Sequence, residues 1–271
     1  MERLPDRESD AKGAVMSASP LKVWLAQDGR LLRLRLDRPR ANIVDAGMTA
    51  ALQSAFTTYR DNAALSAVLL DAEGADFSFG ASVEEHLPER CAAMLQGLHA
   101  LIKAMLDFPK PILVAVRGQC LGGGMEVALA GDLLFAAADA RFAQPEIKLG
   151  VFAPAASCLL PRRVGPARAT DLLLSGRSIG GDEAAAIGLA TAVCADPQQA
   201  ALAYVAKHLA PKSASSLRYA VKAARAGVAA AVKRELDGLE RLYLEELMST
   251  RDAVEGLRAF LARRSAAWEN R

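Results

Sequence analysis

The chain has few of the residues that several common kinds of catalytic or metal site require. Among its 271 residues only four are cysteines and three are histidines. No cysteine pair has Cys-x-x-Cys spacing, and no histidine stands at metal-ligand spacing from a cysteine. We therefore predict no metal site and no Ser/His/Asp triad, and we interpret the cysteines as small buried residues in a reducing compartment. These residues are Cys91, Cys120, Cys158, Cys194, His86, His99 and His208.

The chain also lacks a long apolar run and a strong charge of one sign. No run reaches the roughly 18 apolar residues that a membrane span needs. The first 20 residues, "MERLPDRESDAKGAVMSASP", are polar and have no apolar segment of the kind a signal peptide contains. The net charge is +2, without a concentrated basic face. We expect a disordered extension over residues 1–19, a cytoplasmic protein, no membrane contact and no nucleic-acid partner.

The segments that are present alternate between strand and helix. "LKVWLAQ" and "LLRLRLDRP" alternate as strands do, and the "DGR" between them predicts a hairpin turn. The next stretch predicts a helix with Asp45 as its N-cap. Buried strands at "LSAVLLDA" and "ILVAVRG" flank an amphipathic helix that starts at Cys91. This order predicts an α/β protein with crossover connections.

From about residue 160 the pattern becomes helical in period. We predict a core over residues 20–205 and a C-terminal helical region over 206–271. Helices with several apolar faces dock either on their own core or on a neighbouring subunit, so oligomerisation is compatible with this pattern.

The stretch "CLGGGMEVAL" places three glycines after a buried strand and directly before a predicted helix. Glycine adopts backbone angles that other residues avoid and leaves the N–H accessible to a ligand. With the partial positive charge of a helix N-terminus, this arrangement suits an anion or a developing oxyanion. A phosphate loop would require a following Gly-Lys-Ser/Thr, which is absent. Close packing of a helix on a sheet is the other explanation of the glycines.

Two glutamates stand in apolar surroundings near this stretch. Glu126 follows the glycines, and Glu146 lies in "QPEIKLG" 20 residues later. Two carboxylates can share acid and base roles when their environments separate their pKa values. The alternative is that each is a solvated acid at the start of a helix.

The sequence as a whole resembles the enoyl-CoA hydratase/isomerase, or crotonase, superfamily over residues 20–268. Several motifs in the right order carry the resemblance, which makes it far more specific than any one motif. They are "RPRANIVD", "DFSFGASVEE", "VRGQCLGGGMEVALAGDLLFAA", "ARFAQPEIKLGVF" and "GLRAFLARRSAAW". The resemblance implies a spiral of repeated ββα units with a C-terminal helical trimerisation region.

The resemblance also implies roles for particular residues. Gly123 and Ala81 would donate the two N–H groups of an oxyanion hole for a thioester enolate. Glu126 and Glu146 would hold the water, one taking its proton and the other protonating the α-carbon. Contacts to the CoA thioester would come from five further residues: Phe79, Gly80, Gly122, Phe260 and Arg263. For Arg263 the alternative is a position on a solvated helix face.

The sequence departs from the family pattern at two places. Ser82 stands where an Asp is usual, and "APAAS" replaces a glycine-rich helix start. Pro154 has no backbone N–H, and Ala155 and Ala156 narrow the space nearby. Because these changes touch the acyl end of the pocket, a plain straight-chain substrate becomes a weaker expectation.

The segments "FSFGASVEEHLP" and "QPEIKLGVFAPAASCLLP" together resemble one branch of the family, which hydrates cyclohexa-1,5-diene-1-carbonyl-CoA. This implies a hydro-lyase that makes a hydroxycyclohexene-carbonyl-CoA, needs no cofactor, and assembles as a trimer or a dimer of trimers. The alternatives are a general enoyl-CoA hydratase, an enoyl-CoA isomerase, and a non-catalytic member that binds acyl-CoA or RNA. Retention of both glutamates favours hydration.

Overall fold

The computed structural model describes residues 19–271, so all but the last residue of the predicted N-terminal extension lies outside the described residues. This range contains nine strands and nine α-helices. The strands are β1 (Leu21–Ala26), β2 (Leu31–Leu36), β3 (Ala67–Ala72), β4 (Ile112–Val116), β5 (Gln119–Leu121), β6 (Leu133–Ala136), β7 (Arg141–Ala143), β8 (Ile179–Gly180) and β9 (Ala192–Val193). The helices are α1 (Ala46–Tyr59), α2 (Cys91–Leu106), α3 (Gly122–Leu129), α4 (Pro154–Val164), α5 (Pro166–Ser175), α6 (Gly181–Ala186), α7 (Pro197–Tyr204), α8 (Ala214–Arg241) and α9 (Arg251–Leu261).

The larger sheet has six strands in the order β1-β2-β3-β4-β6-β9. The predicted hairpin is confirmed: β1 pairs antiparallel with β2, with Leu21 opposite Leu36. All the other neighbours in this sheet are parallel, so each connection crosses over through a helical segment. All five residues of β4 are buried, as expected for a parallel strand covered on both faces. The predicted α/β class is confirmed.

A smaller sheet carries the glycine-rich segment. Its order is β5-β7-β8, and β5 leads directly into α3. Single bridges join Ser78 to Cys120 and Val44 to Ala81. The loop around residues 77–82 is thereby held beside the start of α3, although the two segments are about 40 residues apart in sequence.

The helix starts agree with the sequence patterns in one case and differ in another. Asp45 caps α1 as predicted, and its carboxylate accepts the Met48 N–H at 2.9 Å. The three glycines, by contrast, form the first turn of α3 instead of preceding it.

The region predicted to be helical also contains two short strands, β8 and β9. A two-residue strand carries no readable period, and β9 is defined by its pairing with β6. The predicted boundary between residues 205 and 206 stays a prediction. There the backbone runs from α7 into a π-helical turn, Val205–Leu209.

The long helix α8 is fastened to the core by one buried arginine. The Arg225 guanidinium donates to both carboxylate oxygens of Asp132, at 2.7 and 2.5 Å. It also donates to main-chain oxygens at the end of α2 and before β4, including that of Phe108 at 2.7 Å. Asp132 in turn accepts the Ile112 N–H at 2.7 Å. One side chain therefore joins α8, the end of α2 and the start of β4.

We expect Arg225→Met to lower the free energy of unfolding by about 3–5 kcal/mol, because it leaves Asp132 and several carbonyls without their donor. Lys222→Met, at an exposed position one turn earlier on α8, is the matched control and should change stability by less than about 0.5 kcal/mol. Urea unfolding followed by circular dichroism measures both. Equal stability of the two variants would contradict this role.

Candidate active site

Two backbone segments come together at the start of α3. A Cβ built on Gly123 would lie 3.2 Å from the Ala81 nitrogen and 2.9 Å from the Ala81 Cβ. The two residues predicted to form an oxyanion hole are therefore direct neighbours in space. Both belong to segments whose backbone is held by other contacts, so their relative position does not depend on flexible side chains.

Ser78 and Gly80 shape the loop that carries Ala81. The Ser78 hydroxyl donates to the Asn42 carbonyl at 2.8 Å and accepts the Gly80 N–H at 3.1 Å. Gly80 has φ = +106°, a left-handed conformation that favours glycine. A Cβ at this position would also lie 3.2 Å from the Leu121 carbonyl oxygen. The loop therefore turns sharply just before Ala81 and packs against the start of α3.

The three glycines of α3 serve different purposes. Gly124 packs so closely on Ser78 that an added Cβ would overlap its side chain. Gly122 has φ = +47°, and a Cβ there would lie 2.5 Å from Glu146 Oε1. Close packing, one of the two explanations given by the sequence, therefore accounts for Gly124. Gly123 lies against Ala81, and Gly122 lies against Glu146. Both of these neighbours are predicted catalytic residues.

Glu126 is buried in α3 and reaches the N-terminus of α4. Its Oε1 accepts the Ala156 N–H at 2.8 Å. Helix α4 has no side-chain cap of its own, so Glu126 supplies the missing acceptor. Burial raises the pKa of Glu126 to about 7, although hydrogen bonds from the Ala156 and Ala155 amides oppose this rise.

This contact also explains the unusual "APAAS" segment. Pro154 occupies the first position of α4, where a missing N–H costs nothing and the fixed φ suits a helix start. Ala155 and Ala156 are fully buried beneath it. The segment therefore forms a well-made helix start that presents its free amides to Glu126.

Glu146 lies in a 3₁₀ turn, Pro145–Leu149. Burial raises the pKa of Glu146 to about 8, and the negative charge of Glu126 contributes to the rise. The two carboxyl groups are thus close enough to influence each other and share a tendency to retain a proton near neutral pH.

Gln144 is a site residue that the sequence analysis missed. It is buried, and with its amide oriented as a donor its nitrogen lies 3.0 Å from Glu146 Oε2. In that orientation Gln144 can donate to the Glu146 carboxylate and hold it in place. The only signal in the sequence was its position beside Pro145 and Glu146, which does not reveal whether the side chain is buried.

A cavity of about 720 Å³ opens in front of these groups. Its lining includes four of the five residues predicted to contact the CoA thioester, namely Phe79, Gly80, Gly122 and Phe260. Ala81 and Glu146 also line it. Phe79 and Phe260 are 43% and 54% exposed, and they offer flat apolar surface on opposite segments of the chain. Helix α9 therefore reaches the site of its own chain.

Arg263 is the predicted contact residue that does not line this cavity. It follows the end of α9 with φ = +53° and is exposed. Lys148 instead provides a cation among the lining residues. His86 also lines the cavity, and its Nδ1 lies 2.7 Å from the Ser82 carbonyl oxygen. Burial lowers the pKa of His86, which favours the neutral imidazole.

Glu146 also borders a second, smaller cavity of about 290 Å³. Its walls are largely apolar and come from the start of α4, from α5 and from the end of α8. They include Phe152, Ala153, Leu173, Leu239 and Leu242. Glu146 therefore lines both the large cavity and the small one.

The raised pKa of Glu146 has a consequence for stability. Its folded pKa exceeds the unfolded one, so the folded state binds more protons between pH 4.5 and about 8, and stability falls as pH rises through this window. We expect Glu146→Gln to remove this penalty and raise Tm by about 3–6 °C at pH 8.5. The gain should vanish at pH 4.5. Thermal unfolding at both pH values tests this, and an equal gain at both would contradict it.

Other kinds of site are not found in the part of the chain that the structure covers. From residue 19 onward, no three His, Cys, Asp or Glu side chains are grouped to hold a metal ion. All four cysteines are free thiols, and Cys91, Cys120 and Cys158 are buried. Within the same range no helix has the length and hydropathy needed to cross a membrane.

The chain belongs to the enoyl-CoA hydratase/isomerase family, whose sequence profile matches residues 27–271. This confirms the predicted family and its ββα spiral fold. A cyclohexa-1,5-dienecarbonyl-CoA hydratase of Thauera aromatica is 64% identical over 255 residues, covering 94% of this chain and 99% of that protein. A carnitinyl-CoA dehydratase of Salmonella typhi is 30% identical, covering 91% and 98% respectively.

A solved structure supports the same assignment of fold. An enoyl-CoA hydratase/isomerase from Pseudoalteromonas atlantica superposes with a TM-score of 0.81 at 29% identity, covering 92% of this chain and 99% of that one. The sequence motifs resemble the branch of the family that hydrates cyclohexa-1,5-diene-1-carbonyl-CoA. The Thauera aromatica relative is named for the same activity.

Proposed function

We propose that this protein is a hydro-lyase that adds water to cyclohexa-1,5-diene-1-carbonyl-CoA and forms a hydroxycyclohexene-carbonyl-CoA. The observation that carries the proposal is the pair of proton-retaining carboxyl groups, Glu126 and Glu146, beside the adjoining backbones of Ala81 and Gly123. A hydration needs one acid, one base and a place for negative charge, and this site contains all three. The 64% identity to the Thauera aromatica hydratase supports the choice of substrate.

The reaction proceeds by addition to an activated double bond. A water molecule is held between Glu126 and Glu146, and one carboxylate takes a proton as the water oxygen bonds to the carbon β to the thioester. The electron pair of the double bond moves into the thioester carbonyl, where the Ala81 and Gly123 N–H groups stabilise the enolate. The other glutamate, as a carboxylic acid, then protonates a carbon of the conjugated system.

The two cavities suit the two halves of the substrate. The 720 Å³ cavity takes the CoA arm between Phe79 and Phe260, with Lys148 near its phosphates. The apolar 290 Å³ cavity beyond Glu146 takes the ring. A compact cyclic acyl group needs width instead of length, and apolar residues from the start of α4, from α5 and from the end of α8 border this space.

The protein needs no cofactor beyond the CoA that its substrate carries, since acid–base chemistry and an oxyanion hole suffice. We also propose that it is cytoplasmic and assembles as a trimer or a dimer of trimers through its C-terminal helices. The free thiols fit a reducing compartment. Exposed apolar side chains on these helices, such as Val228 and Tyr219, fit burial against a neighbouring subunit. Size-exclusion chromatography with light scattering measures the assembly.

The deciding experiment compares two thioesters side by side, crotonyl-CoA and cyclohexa-1,5-diene-1-carbonyl-CoA, by their ultraviolet absorbance. Rapid loss of the dienoyl absorbance with little action on crotonyl-CoA is expected. The reverse preference would identify a general hydratase. Inactivity on both would overturn the hydratase assignment and direct attention to isomerase activity or to acyl-CoA binding without catalysis.

A further inference from the structure

The segment of residues 265–271 turns back and runs along helix α9. In the first turn of that helix, the Asp252 carboxylate accepts the Glu269 and Asn270 N–H groups, each at 2.7 Å. One turn further on, Glu255 accepts a third N–H of the segment at 2.9 Å. Because carboxylates accept N–H groups strongly, these bonds fix the main chain of the segment against α9.

The segment holds Trp268 over the contact between α9 and the 3₁₀ turn that carries Glu146. The edge of the indole would lie 3.1 Å from a Cβ built on Gly150 and 2.9 Å from one built on Gly256. Gly150 ends the 3₁₀ turn, and Gly256 lies within α9. A Cβ on Gly256 would also overlap the Leu149 carbonyl. The helix and the turn therefore meet backbone to backbone, and the indole covers the place where they meet.

The turn beneath Trp268 contributes to both parts of the site. Glu146 is its second residue and lines both cavities. Lys148 and Leu149 line the larger cavity, to which α9 contributes Phe260. The contact under the indole thus joins two elements that border the same cavity, one of which carries a carboxyl group of the proposed mechanism.

We propose that Trp268 is a positioning residue for the hydration, whose ring keeps the turn against α9 and thereby keeps the Glu146 carboxyl group buried and in place beside Glu126. Trp268 lines neither cavity, so it touches no substrate and acts through the backbone of Gly150. This inference rests on the proposed function. The contact matters for rate because a displacement of about 1 Å in a reacting group can cost about 100-fold.

The surroundings of Glu146 determine what loss of the indole would do. Burial raises the pKa of Glu146 to about 8, and the negative charge of Glu126 adds to the rise. If the turn loosens, water reaches the carboxyl group and its pKa falls. The alkaline limit of activity, where the second proton of the pair is lost, should then move to lower pH. The other charged or titratable side chains on the segments around Glu146 are Glu84, His86, Lys148, Tyr243 and Asp252, and substitution of Trp268 changes none of them.

The first test is Trp268→Ala, assayed with cyclohexa-1,5-diene-1-carbonyl-CoA from about pH 6 to pH 10. We expect kcat at the optimum to fall about 10-fold, KM to change less than about threefold, and the alkaline limit to move down by about 0.5–1 pH unit. Trp268→Phe keeps an aromatic ring on both glycines and should restore the wild-type profile. Trp268→Leu keeps part of the contact, so it should stay folded more readily than the alanine variant and show a smaller shift in the same direction.

Trp24→Ala is the matched control. Trp24 is the other of the two tryptophans in the chain, and its ring packs on the guanidinium groups of Arg33 and Arg35 in the β1–β2 hairpin. It lines neither cavity. Its truncation should lower Tm through lost packing but leave the alkaline limit of activity where it is. An equal shift of that limit in both alanine variants would mean that general loosening is the cause, and would overturn the proposal.

Hydrogen–deuterium exchange examines the same contact without relying on activity. The Gly150 and Val151 N–H groups donate to carbonyls within the turn, each at 3.2 Å. Their exchange should be at least about 10-fold faster in Trp268→Ala than in the wild type, and unchanged in Trp24→Ala. Unchanged exchange in Trp268→Ala would show that the indole does not hold the turn.

The outcomes for the two proposals are distinct. A wild-type protein without hydratase activity refutes the proposed function and, with it, a role of Trp268 in hydration. An active wild type whose Trp268→Ala variant keeps both its kcat and its alkaline limit refutes the role of Trp268 alone.

Discussion

Glu126→Gln and Glu146→Gln are each expected to lower kcat for hydration by about 10²- to 10⁴-fold. Glutamine keeps the shape of the side chain and can still accept the amides of α4, but it can neither take nor give a proton. KM for the thioester should change little, because the CoA arm lies in the larger cavity. Steady-state kinetics on the dienoyl thioester measures both constants. Near-wild-type turnover in either variant would contradict the two-glutamate mechanism.

The pH profile provides an independent check of the same pair. The reaction needs one glutamate ionised and the other protonated, and burial places their pKa values at about 7 and about 8. Activity should therefore fall below about pH 7, where both carboxyl groups hold protons, and above about pH 8, where both have lost them. These apparent values belong to the pair and not to one residue. Glu89→Gln, at an exposed position, is the control and should leave the profile and kcat unchanged.

Gly123→Pro is expected to lower kcat by about 10²- to 10³-fold, the usual cost of losing one oxyanion-hole donor. Proline removes the N–H at the second position of α3, and its Cβ would lie as close to the Ala81 Cβ as that of alanine. Gly123→Ala keeps the N–H, but its methyl group would lie 2.9 Å from the Ala81 Cβ. We expect this variant to lose activity as well, because the two backbones must move apart.

Gly227→Ala is the control for the Gly123 variants. Gly227 lies within α8, and an added Cβ would meet nothing within 4 Å. Alanine there should leave kcat unchanged and raise stability by up to about 1 kcal/mol through helix propensity. Retained turnover in Gly123→Pro, with a normal Tm, would show that the Gly123 N–H has no part in catalysis.

Much of the fold could be predicted from local patterns. The Asp-Gly turn and the alternating residues around it predict the β1–β2 hairpin, and Asp45 marks the start of α1. The apolar run of β4 indicates a strand buried on both faces. Each of these features is encoded within a few neighbouring residues, so periodicity and turn chemistry are sufficient to find it.

The short strands and the second sheet could not be predicted in this way. Strands β8 and β9 contain two residues each, and no periodicity exists over so short a span. They form because β6 and β7 offer free edges at those positions. The pairing is decided by partners that are distant in the sequence.

The candidate site shows the same division. Motifs in the sequence predict catalytic roles for Glu126, Glu146, Gly123 and Ala81, because each belongs to a segment that resembles a known family pattern. Gln144 carries no such signal. A buried glutamine beside a carboxylate becomes visible only when burial and neighbouring side chains are known.

The sequence by itself therefore determined the class of this protein and the order of its core elements, and it predicted which residues carry the proposed chemistry. Only the tertiary structure decided that Phe260 belongs to the cavity while Arg263 does not, and that Glu126 caps α4. The physical reason is that the pKa of a side chain, its place in a cavity wall and its hydrogen-bond partners all depend on the residues around it. Those surroundings come from segments that meet only when the chain folds.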